Sequence, residues 1–466
     1  MPSTQISLFP DRGERERVHD WITREMLEVS ARIAAGPVTP VLDAEALRRE
    51  LLEFDFVAPR NIDALLAWTV DKMEHGLVHL THPRYFGLFN PAPVFPSECA
   101  DRIVSAVNPQ LASSATSPAA VEIEAHTIRA VASRVGLPPQ AFGHFTTGGS
   151  EANYTALLCA LTYIEPGYAQ QGTRAFTGAP VLYCSSDCHI AWLKIAHQVG
   201  IGRAALHLIA TDGRGRMDPV ALRAAIAADR KQGRVPVMIV STAGTTGAGA
   251  IDPLVESANA ARDQALWHHV DAAWGGAVIA SDRYRGLLRG IEQADSITID
   301  AHKWFATTMG CGMFMTRHPS LLSSVFQVSA SFMPSNVASL DPYVNSAQWS
   351  RHFLGLRLFL SLAAAGWTGY GQHVERAIAL IAALQERLAA LGWATVNDPA
   401  LAVLCVVPPP GSADVRTIVR RVVASGRAWV APTRFEGRDV VRICATHGES
   451  SEQDIEQLLV VLESAR

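Results

Sequence analysis

The chain has 466 residues, of which 48% are hydrophobic and 18% are charged, and its formal net charge is -4. This composition excludes a disordered protein and supplies enough apolar surface for a large core, divided among roughly two or three domains. The small net charge, without any block of lysine or arginine, argues against a nucleic-acid groove, because such grooves bind by neutralising phosphates.

The cysteines and the N-terminus indicate the compartment. Seven cysteines are scattered along the chain without Cys-x-x-Cys spacing, which predicts reduced thiols instead of a zinc site or a disulfide framework. The N-terminus lacks the apolar core of a signal peptide, and no later segment reaches about 18 uncharged apolar residues. We therefore expect a soluble cytoplasmic protein without membrane contact.

The first predicted elements are helices. Apolar residues recur at helical spacing over residues 14–34 and again over residues 43–54. We expect residues 1–75 to form an N-terminal helical segment that docks on something larger.

From residue 76 to residue 345, short apolar runs alternate with longer helical stretches, which is typical of a sheet with crossover helices. The predicted strands are 181–184, 205–209, 235–242, 266–271, 296–299 and 312–316. The predicted helices between them are 191–199, 218–229 and 254–263, the second starting at an Asp-Pro signal. The pattern predicts a large α/β domain with a mostly parallel sheet.

The last part of the chain has a different pattern. After a loop over residues 329–348, a helical stretch around 353–390 leads to short alternating strands near 402–407, 428–431 and 440–444. We expect residues 346–466 to form a smaller α+β domain.

A glycine pair at Gly148 and Gly149 follows a predicted strand and precedes a predicted helix. Free N–H groups of the first helical turn, the helix dipole and the Ser150 hydroxyl would face a phosphate. A turn that uses two glycines only for their backbone freedom explains the same residues equally well.

Asp271 follows an apolar strand and precedes the small residues Ala272 and Ala273. Ligands of open α/β sheets bind outside the carboxyl ends of the strands. A carboxylate at that edge would keep the nitrogen of a pyridine ring protonated. The alternative, an aspartate that caps a helix or turn, is disfavoured by the small residues on its C-terminal side.

Lys303 follows the next apolar strand, between His302 and Trp304. One strand–helix–strand excursion separates it from Asp271, so we expect the two side chains to lie at the same sheet edge. A lone lysine is usually a solvated surface charge, but at the end of a buried strand it is placed to hold an aldehyde as a Schiff base. An anion cradle, a carboxylate and a lysine in this order predict pyridoxal phosphate.

His189 begins the helix after the strand at 181–184, where its imidazole could lie on the cofactor ring. Ser185 to Asp187 also suit a helix-capping cluster, which is an alternative role for this segment. The histidines lack His-Glu-x-x-His or another compact ligand pair, which disfavours a metal site. Gly247 and Gly249 lack the third glycine of a nicotinamide-binding turn.

With these residues in place, the chain resembles the group II pyridoxal-phosphate-dependent decarboxylases, which include aromatic L-amino-acid, glutamate and diaminobutyrate decarboxylases. The resemblance covers the chain from about residue 82 to its C-terminus. It implies an α/β fold of the aminotransferase type (fold type I), a small-molecule amino-acid substrate and an obligate homodimer with shared active sites. Residues 82–86 and Ser117-Pro118 resemble the family's substrate-side segments, parts of which come from the neighbouring subunit.

The resemblance also implies a role for each candidate site residue. Lys303 would hold the cofactor covalently, Asp271 would pair with the ring nitrogen, and His189 would stack on the ring. The remaining contacts would come from Gly149, Ser150 and His302 at the phosphate, from Thr246 near the phenolic oxygen and from Ala273 under the ring.

Two residues depart from the family pattern. Many relatives have Asn where this chain has Asp300, and a carboxylate near a phosphate is repelled unless it is turned away or paired. We therefore leave Asp300 out of the predicted cofactor set. A gap-free count from Lys303 places Phe332 at the family's catalytic tyrosine, and phenylalanine cannot donate a proton.

Phe332 bears on the product. The usual reaction ends with protonation at Cα and release of an amine, whereas relatives with phenylalanine at this position react with dioxygen and give an aldehyde, ammonia and peroxide. An insertion in the loop would let Tyr343 or His189 supply the proton instead. The prevalence of the usual reaction in the family favours amine formation, with the aldehyde as the alternative product.

Other functions are disfavoured. An aminotransferase would use an arginine such as Arg442 to hold a carboxylate, and a non-catalytic regulator would not need every chemical position to be filled. The substrate itself is not identified. Phe86 and Leu88 are candidate apolar walls or ordinary core residues, and Arg351 is a candidate carboxylate ligand or a helix cation.

Overall fold

Three helices open the chain in the computed structural model, which describes residues 8–328 and 341–466. They are α1 (Arg12–Ala35), α2 (Ala44–Leu52) and α3 (Ile62–His75). Asp11, Asp43 and Asn61 cap them, because each side-chain oxygen accepts a hydrogen bond from a backbone N–H of the first turn. Val29 is the buried residue of α1, and none of the described residues of α2 or α3 is buried.

The large sheet occupies the middle of the chain. Its strands are β1 (Phe142–Thr146), β2 (Pro180–Ser185), β3 (Leu206–Ile209), β4 (Val235–Thr242), β5 (Trp267–Asp271), β6 (Ser296–Asp300) and β7 (Gly312–Thr316). Over the two described ranges the strand order is β1-β7-β6-β5-β4-β2-β3, with β7 antiparallel to both neighbours and the other pairs parallel. The predicted mostly parallel sheet is confirmed.

Helices surround this sheet. They are α4 (Phe95–Val107), α5 (Pro118–Val135), α6 (Gly149–Ile164), α7 (Tyr168–Gln171), α8 (Ala191–Gln198), α9 (Pro219–Lys231), α10 (Leu254–Gln264), α11 (Pro319–Phe326) and α12 (Pro342–Asn345). Short 3₁₀ helices lie at Gly172–Ala175, Arg203–Ala205, Gly275–Ala280, Arg285–Leu288 and Ile291–Gln293. Asp218 caps α9 by accepting hydrogen bonds from Val220 and Ala221, as its Asp-Pro start signal predicts.

The central strands are buried along their whole length, because helices cover both faces of a parallel sheet. This explains why they were recognisable in the sequence as short continuous apolar runs. Trp192, Trp267 and Trp304 are among the largest fully buried side chains and fill the space between sheet and helices.

The C-terminal part begins with α13 (Gly355–Ala390), which is interrupted at Gly366, where φ is 63°. The elements that follow are β8 (Ala394–Thr395), β9 (Val403–Val407), α14 (Val415–Ala424), β10 (Ala431–Phe435), β11 (Arg438–Cys444) and α15 (Glu452–Ala465). In the described part of the chain these strands form a four-stranded antiparallel sheet of order β10-β11-β9-β8. A small α+β domain is therefore present, as the fold class predicted.

The strand predicted at residues 428–431 is wrong, because β10 begins at Ala431. Ala428 and Val430 are fully buried, so the apolar run reflects burial and not a sheet ladder. Trp429 instead bridges a distant segment: its N–H donates to the carbonyl of Arg84, and its carbonyl accepts from the N–H of Phe86. Of the helices that the structure describes, none is long and apolar enough to cross a bilayer.

Candidate active site

The carboxyl ends of neighbouring strands open onto a cavity of about 290 Å³. Thr242, Asp271 and Asp300 end β4, β5 and β6, and α6 begins three residues after β1 ends. These ends meet because parallel strands present their carboxyl termini at one edge of the sheet. The residues predicted to bind the cofactor all line this cavity: Gly149, Ser150, His189, Thr246, Asp271, Ala273, His302 and Lys303.

The N-terminus of α6 forms one wall. Its cap residue, Gly148, has no side chain to accept a hydrogen bond from the first turn, which leaves backbone N–H groups and the positive end of the helix dipole toward the cavity. A Cβ on Gly149 would lie 2.8 Å from Oδ2 of Asp300 and 3.3 Å from Cβ of Ala273. Glycine is therefore required at position 149 by close approach, and the wall suits an anion.

The amine at the centre of the site is paired. Nζ of Lys303 lies 3.0 Å from Oδ2 of Asp300, the last residue of β6, and the Asp300 side chain is 2% exposed. The second carboxylate oxygen, Oδ1, is buried and has no hydrogen-bond partner among the described residues. The structure thus places a carboxylate at the reactive nitrogen.

Asp271 is held from its buried side. Its Oδ2 accepts a hydrogen bond of 2.8 Å from Nδ2 of Asn153 on α6, and its Oδ1 accepts one of 3.2 Å from the backbone N–H of Ala273. The residue is 4% exposed. These two donors orient the carboxylate from the protein side, which leaves it facing the cavity where a ring nitrogen would lie.

His189 lies at the mouth of the cavity with one edge exposed to solvent. Its Nδ1 accepts a hydrogen bond of 3.2 Å from the N–H of Ala191, the first residue of α8. Desolvation lowers the pKa of His189 below its usual value of 6.5, although the charge of Asp271 opposes this shift. A neutral imidazole with its proton on Nε2 follows, and the same side chain both caps a helix and faces the site.

His302 and Thr246 are fixed from outside the cavity. Desolvation lowers the pKa of His302, whose Nδ1 lies 3.1 Å from the carbonyl oxygen of Cys311. The carbonyl of Thr246 accepts a hydrogen bond of 2.7 Å from Nε of Arg442, which is 2% exposed and packs over the ring of Phe89. Arg442 therefore supports the loop that carries Thr246 and does not line the cavity.

The three predicted substrate-side residues lie elsewhere. Phe86 is fully buried, and Leu88, which is 46% exposed, donates its backbone N–H to the hydroxyl of Tyr85. Arg351 is 4% exposed, forms an ion pair with Glu124 and donates to the carbonyl of Phe145. Its guanidinium is thus engaged by Glu124 and Phe145 inside the protein.

Of the two alternative proton donors, His189 lines the cavity and Tyr343 does not. Phe332 lies outside the described residues. Tyr343 is 3% exposed on α12, packs against Trp349 and is not among the lining residues. Desolvation raises the pKa of Tyr343 above its usual value of 10. Within the described ranges, no tyrosine lines the cavity.

Several lining residues were not assigned from the sequence. They are Thr147, Gly148, Glu151, Asn153, Thr242, Gly244, Trp274 and Asp300. Asn153 lies one helical turn beyond the glycine pair, and a helical reading of that motif could have placed it on the face of Gly149. Trp274 donates from Nε1 to the carbonyl of Gly244, a residue with φ of 102°, and no sequence signal connects these two.

The residues present fit pyridoxal phosphate. The helix terminus and Ser150 suit its phosphate, Lys303 its aldehyde, and Asp271 its ring nitrogen. Oγ1 of Thr242 and Oδ1 of Asp300 are buried at this cavity without a hydrogen-bond partner in the described structure, so polar groups remain for a polar ligand.

Comparisons with known proteins agree with this site. Residues 49–405 match the pyridoxal-dependent decarboxylase conserved domain. An aromatic-L-amino-acid decarboxylase of Bacillus atrophaeus is 26% identical over 446 residues, with 93% of this chain and 91% of the relative covered. An L-2,4-diaminobutyrate decarboxylase of Rhizobium meliloti (strain 1021) is 30% identical over 405 residues, with 84% and 80% covered. The crystal structure of mouse CSAD has a TM-score of 0.92 at 27% identity, with 98% of this chain and 99% of that chain covered. The chain belongs to the pyridoxal-dependent decarboxylases and is a pyridoxal-phosphate-dependent amino-acid decarboxylase.

Proposed function

We propose that the chain decarboxylates an L-amino acid and releases the corresponding amine. The observation that carries this proposal is the convergence of Lys303, Asp271 and His189 on one cavity beside the N-terminus of α6. When bound, pyridoxal phosphate supplies an electron sink for the electron pair left at Cα as carbon dioxide departs.

The side chains have separate tasks in this proposal. Lys303 would hold the cofactor through its ε-amino nitrogen, and Asp271 would pair with the ring nitrogen. Gly149, Ser150 and His302 would hold the phosphate. The neutral imidazole of His189 lies against the ring, where it excludes water without adding a positive charge.

The proton delivered to Cα decides the product. Nζ of Lys303 lies 3.0 Å from Oδ2 of Asp300, and His189 carries its proton on Nε2, because its Nδ1 accepts from Ala191. Both residues line the cavity, whereas Tyr343 does not. This supports amine formation with Lys303 or His189 as the proton source, without a loop tyrosine.

Phe332 favours a second candidate, decarboxylation coupled to oxidation by dioxygen. In that reaction the substrate carbon loses its amino group as ammonia, dioxygen is reduced to hydrogen peroxide, and water supplies the oxygen of the aldehyde. The two candidates share the loss of carbon dioxide and differ only in what happens at Cα afterwards.

The test is a substrate panel with the holoenzyme under air. Carbon dioxide, amine, aldehyde and peroxide are measured together for each common L-amino acid. Carbon dioxide matched by amine supports the first candidate, and carbon dioxide matched by aldehyde and peroxide replaces it with the second. Keto-acid-dependent amino transfer without carbon dioxide release would overturn both.

A covalent test addresses Lys303 directly. Borohydride reduction of the holoenzyme, followed by peptide mass mapping, should give a cofactor adduct at Lys303. The variant Lys303→Ala should give none, whereas Lys194→Ala, which removes another lysine near His189, should keep the adduct. An adduct at a different lysine in the wild-type chain would contradict the assignment.

We also propose a cytoplasmic homodimer. All seven cysteines lie within the described ranges and are free, which supports a reducing compartment. On α4, the apolar side chains Phe95, Ile103 and Val107 are 73%, 50% and 71% exposed, beside an apolar groove of about 300 Å³. Such a patch suits a subunit interface. Sedimentation should show twice the chain mass, and a monomer that retains activity would refute the dimer.

A further inference from the structure

A chain of buried hydrogen bonds begins at Asp271 and leads away from the cavity. Asn153 donates from Nδ2 to Oδ2 of Asp271 over 2.8 Å, and its Oδ1 lies 3.0 Å from Nε2 of His269. Asn153, His269 and Asp271 are 3%, 0% and 4% exposed. The carboxylate assigned to the ring nitrogen is therefore supported by an amide that is itself supported by an imidazole.

The chain continues on the other side of the imidazole. Nδ1 of His269 lies 2.8 Å from Oγ of Ser296, and the same Oγ accepts a hydrogen bond of 2.8 Å from Nε1 of Trp267. Ser296 and Trp267 are fully buried. We refer to Trp267, Ser296, His269, Asn153 and Asp271 as the Asp271 relay.

The chemistry of its two ends fixes the direction of every bond. Asn153 presents its amide nitrogen to Asp271, so its oxygen is the acceptor for His269. Desolvation lowers the pKa of His269 to about 3, so the ring is neutral and has one N–H. That proton must be on Nε2 to meet the Asn153 oxygen, and Nδ1 must accept from the Ser296 hydroxyl.

Each donor in the Asp271 relay thus points toward the carboxylate, from an indole that only donates to an acid that only accepts. Hydrogen bonds aligned in this way polarise one another in a buried site. The hydroxyl of Thr298, 3.4 Å from Nε2, is a longer alternative acceptor for the same imidazole proton. Without the proton on Nε2, the Asn153 amide would lose the partner that selects its orientation.

We propose that His269 is a positioning residue for Asp271: as a neutral Nε2–H imidazole it fixes the Asn153 amide, which holds the carboxylate in place for the ring nitrogen of the cofactor. The inference rests on the proposed pairing of Asp271 with that nitrogen. His269 does not line the cavity, and its effect on the cofactor passes entirely through Asn153.

The neighbouring residue offers a matched control. His268 is 1% exposed, has a pKa lowered by desolvation to about 4, and is hydrogen-bonded to Ser241 over 2.9 Å. Successive residues of a strand point to opposite faces, so His268 shares the strand and the burial of His269 but not its connection to Asp271. Identical substitutions at the two positions cost similar packing.

The experiment compares cofactor release from His269→Leu, His269→Gln and His268→Leu holoenzymes. We expect His269→Leu to lose pyridoxal phosphate about 10- to 100-fold faster than wild type, an effect typical of removing an orienting neighbour. His269→Gln retains an N–H donor, so its rate of cofactor release should be close to that of wild type. His268→Leu should release the cofactor at a rate within about threefold of wild type, since only packing changes.

A cofactor analogue with C–H in place of the ring nitrogen separates positioning from packing. With this analogue, His269→Leu and wild type should release the ligand at equal rates, because Asp271 then has nothing to pair with. If His269→Leu accelerates the release of the analogue as much as the release of the natural cofactor, relative to wild type, the inference is wrong. If His269→Leu does not fold, Ser296→Ala replaces it in the experiment. This variant should release the natural cofactor faster than wild type, by a smaller factor, and should release the analogue at the wild-type rate. Equal release of the natural cofactor by Ser296→Ala and wild type would refute the relay.

These release rates do not require turnover. A chain that releases no carbon dioxide from any amino acid would refute the proposed function and leave the comparison of His269 with His268 intact. Conversely, if His269→Leu and His268→Leu release the cofactor at the same rate, the role of His269 is refuted even in a chain that decarboxylates an amino acid.

Discussion

At the scale of single residues, the turn after β6 places the carboxylate of Asp300 3.0 Å from the nitrogen of Lys303. The Asp300 side chain is 2% exposed, and its second oxygen has no hydrogen-bond partner in the described structure.

Asp300 also shows where residue-level prediction stops. Its repulsion from a phosphate was predictable, but the turn that brings its carboxylate to Lys303 was not. The N–H of Lys303 donates to the carbonyl of Asp300 over 3.2 Å, and this turn aligns the two side chains. Sequence places residue types at a strand end, whereas the direction of each side chain depends on the turn that follows.

At the scale of elements, the first turn of α6 needs glycine at position 149. A methyl group there would approach the Asp300 carboxylate to 2.8 Å. We expect Gly149→Ala to weaken cofactor binding at least about tenfold, which corresponds to about 1.4 kcal/mol. Quenching of protein fluorescence on titration of the apoprotein with pyridoxal phosphate measures the dissociation constant.

Gly213→Ala is the matched control for this substitution, because a Cβ at Gly213 meets nothing within 4 Å. It should bind the cofactor as tightly as wild type. Equal affinity of the two variants would mean that Asp300 moves aside freely and that close approach does not restrict this wall.

The ion pair between Arg351 and Glu124 connects α5 to the segment before α13. Glu124 also accepts the N–H of Gly355 over 2.9 Å, and desolvation raises its pKa. We expect Arg351→Ala to lower the free energy of unfolding by about 3–5 kcal/mol, because it leaves a buried carboxylate unpaired. Denaturant titration of the holoenzyme measures the loss.

The same variant addresses the substrate role predicted for Arg351. The double variant Glu124→Leu with Arg351→Met removes both charges and should recover much of the lost stability. Its Michaelis constant for the substrate should match that of wild type. A Michaelis constant raised tenfold in a stably folded double variant would restore the interpretation of Arg351 as a carboxylate ligand.

Element prediction succeeded where burial and strand formation coincide, as in β4 and β5. It failed at 428–431, where Ala428 and Val430 are buried in the core and the segment forms only an isolated bridge between Trp429 and Tyr85. The interruption of α13 at Gly366 was also not predicted, since an isolated glycine within a helical pattern is usually tolerated. An apolar run in the sequence predicts that a segment is buried. It does not predict whether the segment forms a strand, because the residues that bury it lie elsewhere in the chain.

At the scale of the whole molecule, buried neutral histidines predict acid lability. Desolvation lowers the pKa from the usual 6.5 to about 3 or 4 in His144, His268, His269 and His373. Below pH 6.5 these histidines are protonated in the unfolded chain but stay neutral in the folded chain. The free energy of unfolding therefore falls as the pH falls toward 4.

Two buried acids oppose this trend. The pKa of Asp252 is raised by desolvation to about 7, so the folded chain holds a proton there that the unfolded chain releases, and desolvation also raises the pKa of Glu124. Because the buried histidines outnumber these acids, we expect the free energy of unfolding to fall between pH 6 and pH 5 by about 1.4 kcal/mol for each net proton. Denaturant titrations at the two pH values measure the difference.

The contribution of a single histidine to this pH dependence can be measured at His144. Neither of its ring nitrogens has a hydrogen-bond partner in the described residues, and its ring packs against Phe314 and Phe326. His144→Phe should reduce the pH dependence by about 1.4 kcal/mol per pH unit. Substitution of the exposed His19 by Gln should leave it unchanged, and an unaltered slope in His144→Phe would contradict the assignment.

The cavity draws its wall from segments far apart in the chain, around residues 148–153, 189, 271 and 300–303. A ligand bound in the cavity contacts several strand ends at once, although these strand ends are far apart in the sequence. A ligand that binds only the folded state adds about 2.7 kcal/mol to stability at 100 times its dissociation constant. The supply of vitamin B6 should therefore set how long each copy of the protein survives proteolysis, in addition to how fast it turns over substrate.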